Sequence, residues 1–367
     1  MLSEHQKELS RNVFEYMDPS FRFHLSLHLP ALRSVEKEAR LNINQLVFED
    51  NQLFIENKTK YELKIDRKYA IEDRPFRINK IHDENEFGFP ANTNCIMMNG
   101  DVCMENENSR STRAYERLME TVKEKEPPEC KSTLKLTYIT GYGEIRIYTS
   151  STITTIYEGI KVLIHNRKMI WTVNSMSISS RNVRWIQPGE KPFVRNVKLG
   201  SYNSVNLDGV KLICDSTSFP LKLLNFEMSH QMLDHQTLAT AEYLIVRSEI
   251  IRQDMDSLNL MKISNQKVLI NRVSLNTVAG LIEFWLEHGR PVGTSWLFEI
   301  RKFGREKPSR YIKFLRRNAQ VIESDRRSIK ISMGQSSILS VSYGNSILHD
   351  AGSRREIWIV KMEVLRR

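Results

Sequence analysis

The chain has 367 residues, 40% of them hydrophobic, with 26 Gly plus Pro, four cysteines and a formal net charge of +10. This length and apolar content can bury a sizeable core in one large domain or two ordinary ones, and exclude a disordered or fibrous chain. No signal-type segment opens the sequence and no run approaches the ~18 apolar residues of a membrane span, so a soluble chain without membrane contact, cytoplasmic and/or nuclear, is expected.

In chain order, Val13, Tyr16 and Met17 recur at helical spacing, Pro19 punctuates, Phe21 and Leu25 open a second amphipathic set, and Pro30 stops it. Two or three helices follow from this pattern. Helices so short cannot hold themselves together in water, so their apolar stripes must be buried against the rest of the chain or a partner. Next, Asn42–Phe48, Gln52–Glu56 and Tyr61–Ile65 alternate apolar and polar residues around two polar breaks, which predicts a small antiparallel meander. Residues 81–111 read as a long loop or insertion, Thr112–Lys125 as a helix ended by Pro127-Pro128, and a domain boundary is expected there.

Strand-like runs then begin near Trp171, Val194, Leu221, Ala241, Gln266 and Thr294, with start-to-start offsets of 23, 27, 20, 25 and 28. These offsets fall in the range of strand-plus-helix solenoid repeats. After the Gln266 run, Ser274 fits an N-cap, Leu275, Val278, Leu281, Ile282, Trp285 and Leu286 make one apolar face, and Gly289 with Pro291 ends the helix. A helix returning between strands makes a crossover and a parallel ladder. The expected fold class is therefore α/β (α+β): short N-terminal helices over 1–40, a β meander with an insertion and a helix over 41–130, and a β/α body over 131–367. That body reads either as an irregular leucine-rich-repeat-like sheet or as a compact α/β domain. Ser328–Met333, Ser337–Tyr343 and Glu356–Leu365 read as closing strands.

Charge is uneven: residues 1–130 hold 19 Lys/Arg against 24 Asp/Glu, and residues 131–367 hold 35 against 20. Eleven Lys/Arg lie between Arg301 and Lys330 against only Glu306, Glu323 and Asp325. Such a block suits a solvated helix face or the neutralisation of phosphate on a nucleic acid, and an acidic protein partner would use the same field.

Catalytic arrangements do not reach motif quality. Gly141-Tyr142-Gly143 lacks the following glycine of a dinucleotide loop, and GxxxxGK[ST], GxSxG and HExxH do not occur. His24 and His28 share a helical face but leave a zinc site incomplete without paired cysteines. His230 and His235 read as loop residues, Cys130 beside Lys131 would need a positioned base to react, and Cys95, Cys103 and Cys214 form no CxxC pair. Neither an enzyme nor a cofactor is expected.

The stretch Leu9–Val35 resembles an F-box. From Arg22 to Tyr61, the runs Pro30-x-Leu32-Arg33-x-Val35-Glu36-Lys37, Leu41-x-Ile43-x-x-Leu46 and Ile55-x-Asn57-x-x-x-Tyr61 resemble the F-box-associated proteins expanded in nematodes. The likeness extends to Leu281-Ile282-x-x-Trp285-x-x-x-Gly289-Arg290-x-x-Gly293. The usual Leu-Pro opening is Leu9-Ser10 here, and Glu36-Lys37 stand where a Cys-aromatic ending is commoner. The resemblance implies a substrate-recognition subunit of a cullin-type ubiquitin ligase. In that reading Leu9, Val13, Met17, Pro19, Phe21, Leu25, Pro30, Leu32 and Val35 meet a small cullin adaptor, and Trp296, Arg301 and Arg305 on the body meet a target protein. A nucleic-acid-associated protein and an interaction scaffold without ligase coupling are the other readings.

Overall fold

The computed structural model describes residues 3–49, 52–67, 101–104, 130–140, 143–151, 167–169, 171–179, 182–184, 191–200, 206–227, 235–247, 260–300, 308–318, 320–350 and 353–367. The expectations for 81–100, 105–111 and Thr112–Lys125 lie outside these residues. The chain is mixed α/β and divides into two units, Met1–Ser218 and Phe219–Arg367.

The first unit opens with α1 (Glu4–Tyr16), α2 (Pro19–His28), a 3-10 turn (Pro30–Leu32) and α3 (Arg33–Glu38). A capping box starts α1: the Gln6 amide donates to Ser3 Oγ at 3.3 Å, and the Ser3 amide donates to Gln6 Oε1 at 2.8 Å. Asp18 caps α2, its Oδ1 accepting from the Ser20 and Phe21 amides, while Pro19 fills the first helical position, where a missing N–H costs nothing.

Strands β1 (Asn42–Glu49), β2 (Gln52–Ile55) and β3 (Thr59–Arg67) form the expected antiparallel meander, with Leu46 opposite Ile55 and Leu53 opposite Tyr61. Glu56 and Asn57, both at φ 55°, turn the chain between β2 and β3. The unit continues through β4 (Asp101–Cys103), β5 (Cys130–Thr140), β6 (Gly143–Ser151), β7 (Thr172–Ile178), β8 (Asn182–Arg184), β9 (Phe193–Leu199) and α4 (Leu207–Ile213). Its main sheet runs β9-β7-β1-β2-β3-β5-β6, and β4 pairs with β8 in a separate ladder. Gly209 in α4 lies so close to β4 that a Cβ there would fall 2.7 Å from the Cys103 carbonyl oxygen.

The sheet order corrects the expected domain boundary. β1 pairs in parallel with β7, from Asn42–Thr172 to Phe48–Ile178, and β3 pairs with β5, from Thr59–Tyr138 to Arg67–Cys130. Residues on both sides of 130 therefore share one ladder, and the division falls at Ser218. Strand Asp101–Cys103 likewise occupies part of the expected loop, and Gly143 opens a strand antiparallel to β5 rather than a phosphate-binding turn.

The second unit contains β10 (Leu223–Glu227), α5 (Gln236–Thr240), β11 (Tyr243–Arg247), β12 (Lys267–Val273), α6 (Leu275–His288) and β13 (Ser295–Ile300). Then come α7 (Pro308–Asn318), β14 (Val321–Ser324), β15 (Ser328–Met333), β16 (Ser337–Asp350) and β17 (Ser353–Arg366). The order is β10-β11-β12-β13-β17-β16-β15-β14, parallel through β13 and antiparallel beyond it. All six strand-like runs are strands, β7 and β9 through β13.

Period-2 alternation places Leu224, Phe226, Leu244, Val246, Val268, Ile270, Trp296 and Phe298 on buried positions. Helix α6 begins as expected, with the Thr277 amide donating to Ser274 Oγ at 3.1 Å, and it buries Val278, Leu281, Ile282 and Trp285. Trp285 meets Trp296 edge to face at 5.2 Å. Gly289, at φ +75°, ends the helix, and the Arg290 guanidinium lies 5.6 Å from both Trp rings while donating to the Ile263 and Met261 carbonyls at 2.8 Å. Gly293, at φ +91°, then donates its amide to the Val364 carbonyl. The run from Leu281 to Gly293 thus has a structural explanation at each of its fixed residues.

Candidate functional site

The N-terminal helices carry the least ordinary distribution of side chains. Leu9, Val13 and Tyr16 lie at i, i+4 and i+7, on one face of α1, and are 54%, 59% and 92% exposed. A neighbouring face, Lys7, Ser10, Phe14 and Met17, is turned inward, and only Phe14 of α1 is fully buried. An amphipathic surface helix normally buries its apolar stripe, whereas α1 buries Phe14 and leaves Leu9, Val13 and Tyr16 outside. Helix α2 shows the same inversion, burying Ser20, Arg22, Phe23 and Ser26 while Phe21 remains 41% exposed. Leu29, just after α2, is also exposed.

Charged side chains hold the inward face. Arg22 and Glu36 are each 1% exposed, and Arg22 Nε donates to Glu36 Oε1 at 2.6 Å. The Arg22 guanidinium also donates to the carbonyls of Phe14 at 3.2 Å, Glu36 at 2.7 Å and Ala39 at 2.9 Å, and to that of Arg40. One side chain of α2 thereby reaches carbonyls at the C-terminal ends of α1 and α3, adding to the C-cap bonds that Met17 N–H makes to the Phe14 carbonyl and Ala39 N–H to the Glu36 carbonyl. Arg167, also buried, donates to the same Glu36 oxygen and places its guanidinium 5.5 Å from the Phe23 ring. Burial pulls the Arg22 pKa down and Glu36 pulls it back up, while Arg167 pushes it down again. The Tyr61 phenol, fully buried, is driven up by burial first and then by the Glu36 carboxylate. Glu36 stood out in the sequence only as a departure from the F-box ending; its pairing with Arg22 and with Arg167, 131 residues away, left no local signal.

The expected docking residues separate into two groups. Leu9, Val13, Phe21 and Pro30 are exposed. Met17, Leu25 and Leu32 are partly buried against a small core of Phe14, Val35 and Ala39, and Pro19 is half-buried at the start of α2. Val35 is a correction: at 2% exposure it belongs to that core and presents nothing to a partner. Tyr16 and Leu29, which the expected set omitted, are exposed.

Trp296 is a second correction. It is fully buried in β13, donates Nε1–H to the Asn265 carbonyl at 3.0 Å, and so belongs to the core rather than a target-binding surface. Its alternation with Phe298 and Ile300 was the signal for burial. Arg301 and Arg305 lie outside the described residues. Within the basic block, Lys313, Arg316, Arg326 and Arg327 line one pocket, whereas Lys330 pairs with Glu323 at 2.7 Å.

The His24 and His28 rings are 4.6 Å apart, and burial, followed by His28, lowers the His24 pKa. No group of three or more His, Cys, Asp and Glu suited to a metal occurs among the described residues. His235 caps α5, its Nδ1 accepting from the Thr237 amide at 3.2 Å. Cys214 is buried, and burial pushes its thiol pKa up to about 12, which leaves it without thiolate at neutral pH. No helix among the described residues is long and apolar enough to cross a membrane.

A family model described as a domain of unknown function, DUF3557, matches residues 160–302. That span takes in β7 through β13 and excludes both the N-terminal helices and the pocket formed after residue 308. No curated protein and no solved structure matches the chain.

Proposed function

We propose that this chain is a substrate-recognition subunit of a cullin-type ubiquitin ligase, cytoplasmic and/or nuclear, docking the small cullin adaptor through α1 and the start of α2. The observation that carries this reading is the outward apolar stripe Leu9, Val13 and Tyr16, on a helix that buries only Phe14. Burying three such side chains in a partner is worth about 1.5–3 kcal/mol each before the costs of association, enough for a specific contact. The helices need no partner to be held in place, because Arg22, Glu36 and Arg167 lock them from within. The exposed stripe is therefore free to act as a preorganised surface. The resemblance of Leu9–Val35 to an F-box selects the adaptor as its occupant.

In this reading the chain itself performs no covalent chemistry and uses no cofactor. Parallel strands with helices α4, α5 and α6 in their connections support reading the body as leucine-rich-repeat-like, and such a body would hold a target protein while a ubiquitin-conjugating enzyme acts nearby. The contribution to rate is local concentration.

The test is a pull-down of purified adaptor by the intact chain and by a Leu9→Ser/Val13→Ser/Tyr16→Ser variant. All three side chains are exposed, so circular dichroism should report an unchanged fold. Binding should fall by about 100-fold or more in the variant. Equal binding by both chains, or none by the folded intact chain, contradicts the reading. Self-association abolished by the same substitutions would assign the stripe to a second copy instead.

A further inference from the structure

The second unit holds 23 Lys/Arg against 15 Asp/Glu, and its excess of eight resides in residues 301–330, where 11 face 3. Part of that charge converges on a single cavity of about 340 Å³. Ser309, Ile312, Lys313 and Arg316 come from one face of α7 at i, i+3, i+4 and i+7. Arg326 and Arg327 come from the β14–β15 turn, and Tyr343 and Trp358 from β16 and β17.

The turn is fixed rather than draped. Asp325 Oδ1 accepts from the Arg327 and Ser328 amides at 2.6 and 2.7 Å, and Oδ2 accepts from the Ser328 hydroxyl at 2.8 Å. From the other side, the Tyr343 amide donates to the Arg327 carbonyl at 3.0 Å and the Tyr343 hydroxyl to the Arg326 carbonyl at 3.3 Å. Ile312 is buried and anchors the helix wall. The cavity therefore presents four cations on a braced frame, with no carboxylate in its lining. Asp325, in the same turn, acts electrostatically on Arg316, and four cations against that one carboxylate leave a surplus of positive charge that an anion neutralises.

The size and shape choose among anions. A volume of about 340 Å³ is at the small end for ligand pockets and admits one side chain with its headgroup. Single-stranded nucleic acid instead asks for a groove that tracks several phosphates and for open aromatic faces. Here the aromatic pair is engaged with itself, Tyr343 and Trp358 meeting at 5.7 Å and 61°. Three guanidiniums and an ammonium suit a phosphate monoester, which carries about −1.5 to −2 charge and three acceptor oxygens at neutral pH, better than a carboxylate with one charge.

We propose that this pocket binds a phosphorylated serine or threonine side chain of a protein partner, the phosphate held by Lys313, Arg316, Arg326 and Arg327. The site stands on its own geometry and does not rest on the adaptor dock.

The test is calorimetric titration of the intact chain with a Gly/Ala pentapeptide carrying one phosphoserine, with its unphosphorylated counterpart, and with a 12-nucleotide oligothymidylate. The phosphopeptide should bind, the unphosphorylated peptide should not, and affinity should fall with salt. Arg316→Ala and Arg327→Ala, both at exposed positions, should each weaken phosphopeptide binding by roughly tenfold with the melting temperature unchanged. The proposal is overturned if the two peptides bind alike or the phosphopeptide fails to bind at millimolar concentration. It is equally overturned if the two variants bind like the parent, or if oligothymidylate outcompetes the phosphopeptide, which would make the pocket a nucleic-acid contact.

Discussion

The N-terminal helices and the α6–β13 region of the second unit solve the same packing problem in opposite ways. Around α6, apolar side chains go in: Trp285, Trp296, Leu281 and Ile282 are buried, and Arg290 closes over the two indoles. In α2, Ser20, Arg22 and Ser26 go in beside Phe23, and α1 buries only Phe14, while Leu9, Val13, Tyr16 and Phe21 stay out. A core of the first kind needs nothing else. A surface of the second kind leaves apolar area in water, and that area is what the proposed adaptor dock would cover.

The contrast is broken most severely by removing the inner charge. Glu36→Gln should lower stability by about 3–5 kcal/mol, because Arg22 and Arg167 would then share a buried site with no counter-charge. A urea unfolding midpoint shifted by less than a quarter of that would show that the charges are solvated rather than structural. Trp285→Ala should cost a similar ~3–5 kcal/mol, for the different reason that it leaves a cavity beside Trp296. Between these lies a pair on one helix. Phe23→Ala should cost several times more than Phe21→Ala, at about 3–5 against under ~1 kcal/mol, since Phe23 is buried and Phe21 is not. Equal losses would dissolve the inversion.

The smallest expected effect is that of pH. The His24 imidazole is held below its ordinary value by burial and by His28, so the unfolded chain takes up this proton first as pH falls. Stability should then decline as pH drops through about 6.5 and level off below the folded pKa. His24→Asn should flatten that part of the profile, measured as urea midpoint against pH relative to the parent.

Much of the fold was written in local pattern. Two-residue alternation placed the meander, the six later strands and the closing strands, and the capping signals at Ser274 and Gly289 bounded α6. The boundary was not local: it depends on β1 finding β7 some 130 positions away, and composition at Pro127-Pro128 carries no trace of that pairing. The exposed apolar face was half legible. Helical spacing drew the stripe from Val13 through Tyr16, but spacing cannot say which side of a helix meets the body. That choice was made by Arg22, whose four carbonyl partners and carboxylate come from other elements. Val35 and Trp296 were misplaced for a related reason, since a motif position or a large aromatic suggests contact without stating whether the contact is internal.

The most direct test of the account is hydrogen–deuterium exchange of the intact chain with and without saturating adaptor. Slowed exchange confined to Glu4–Tyr16 and the first turns of α2 is predicted, with the body unchanged. Protection located in the second unit, or none at all under conditions where the adaptor is shown to bind a known partner, would contradict the assignment of the inverted face as a dock.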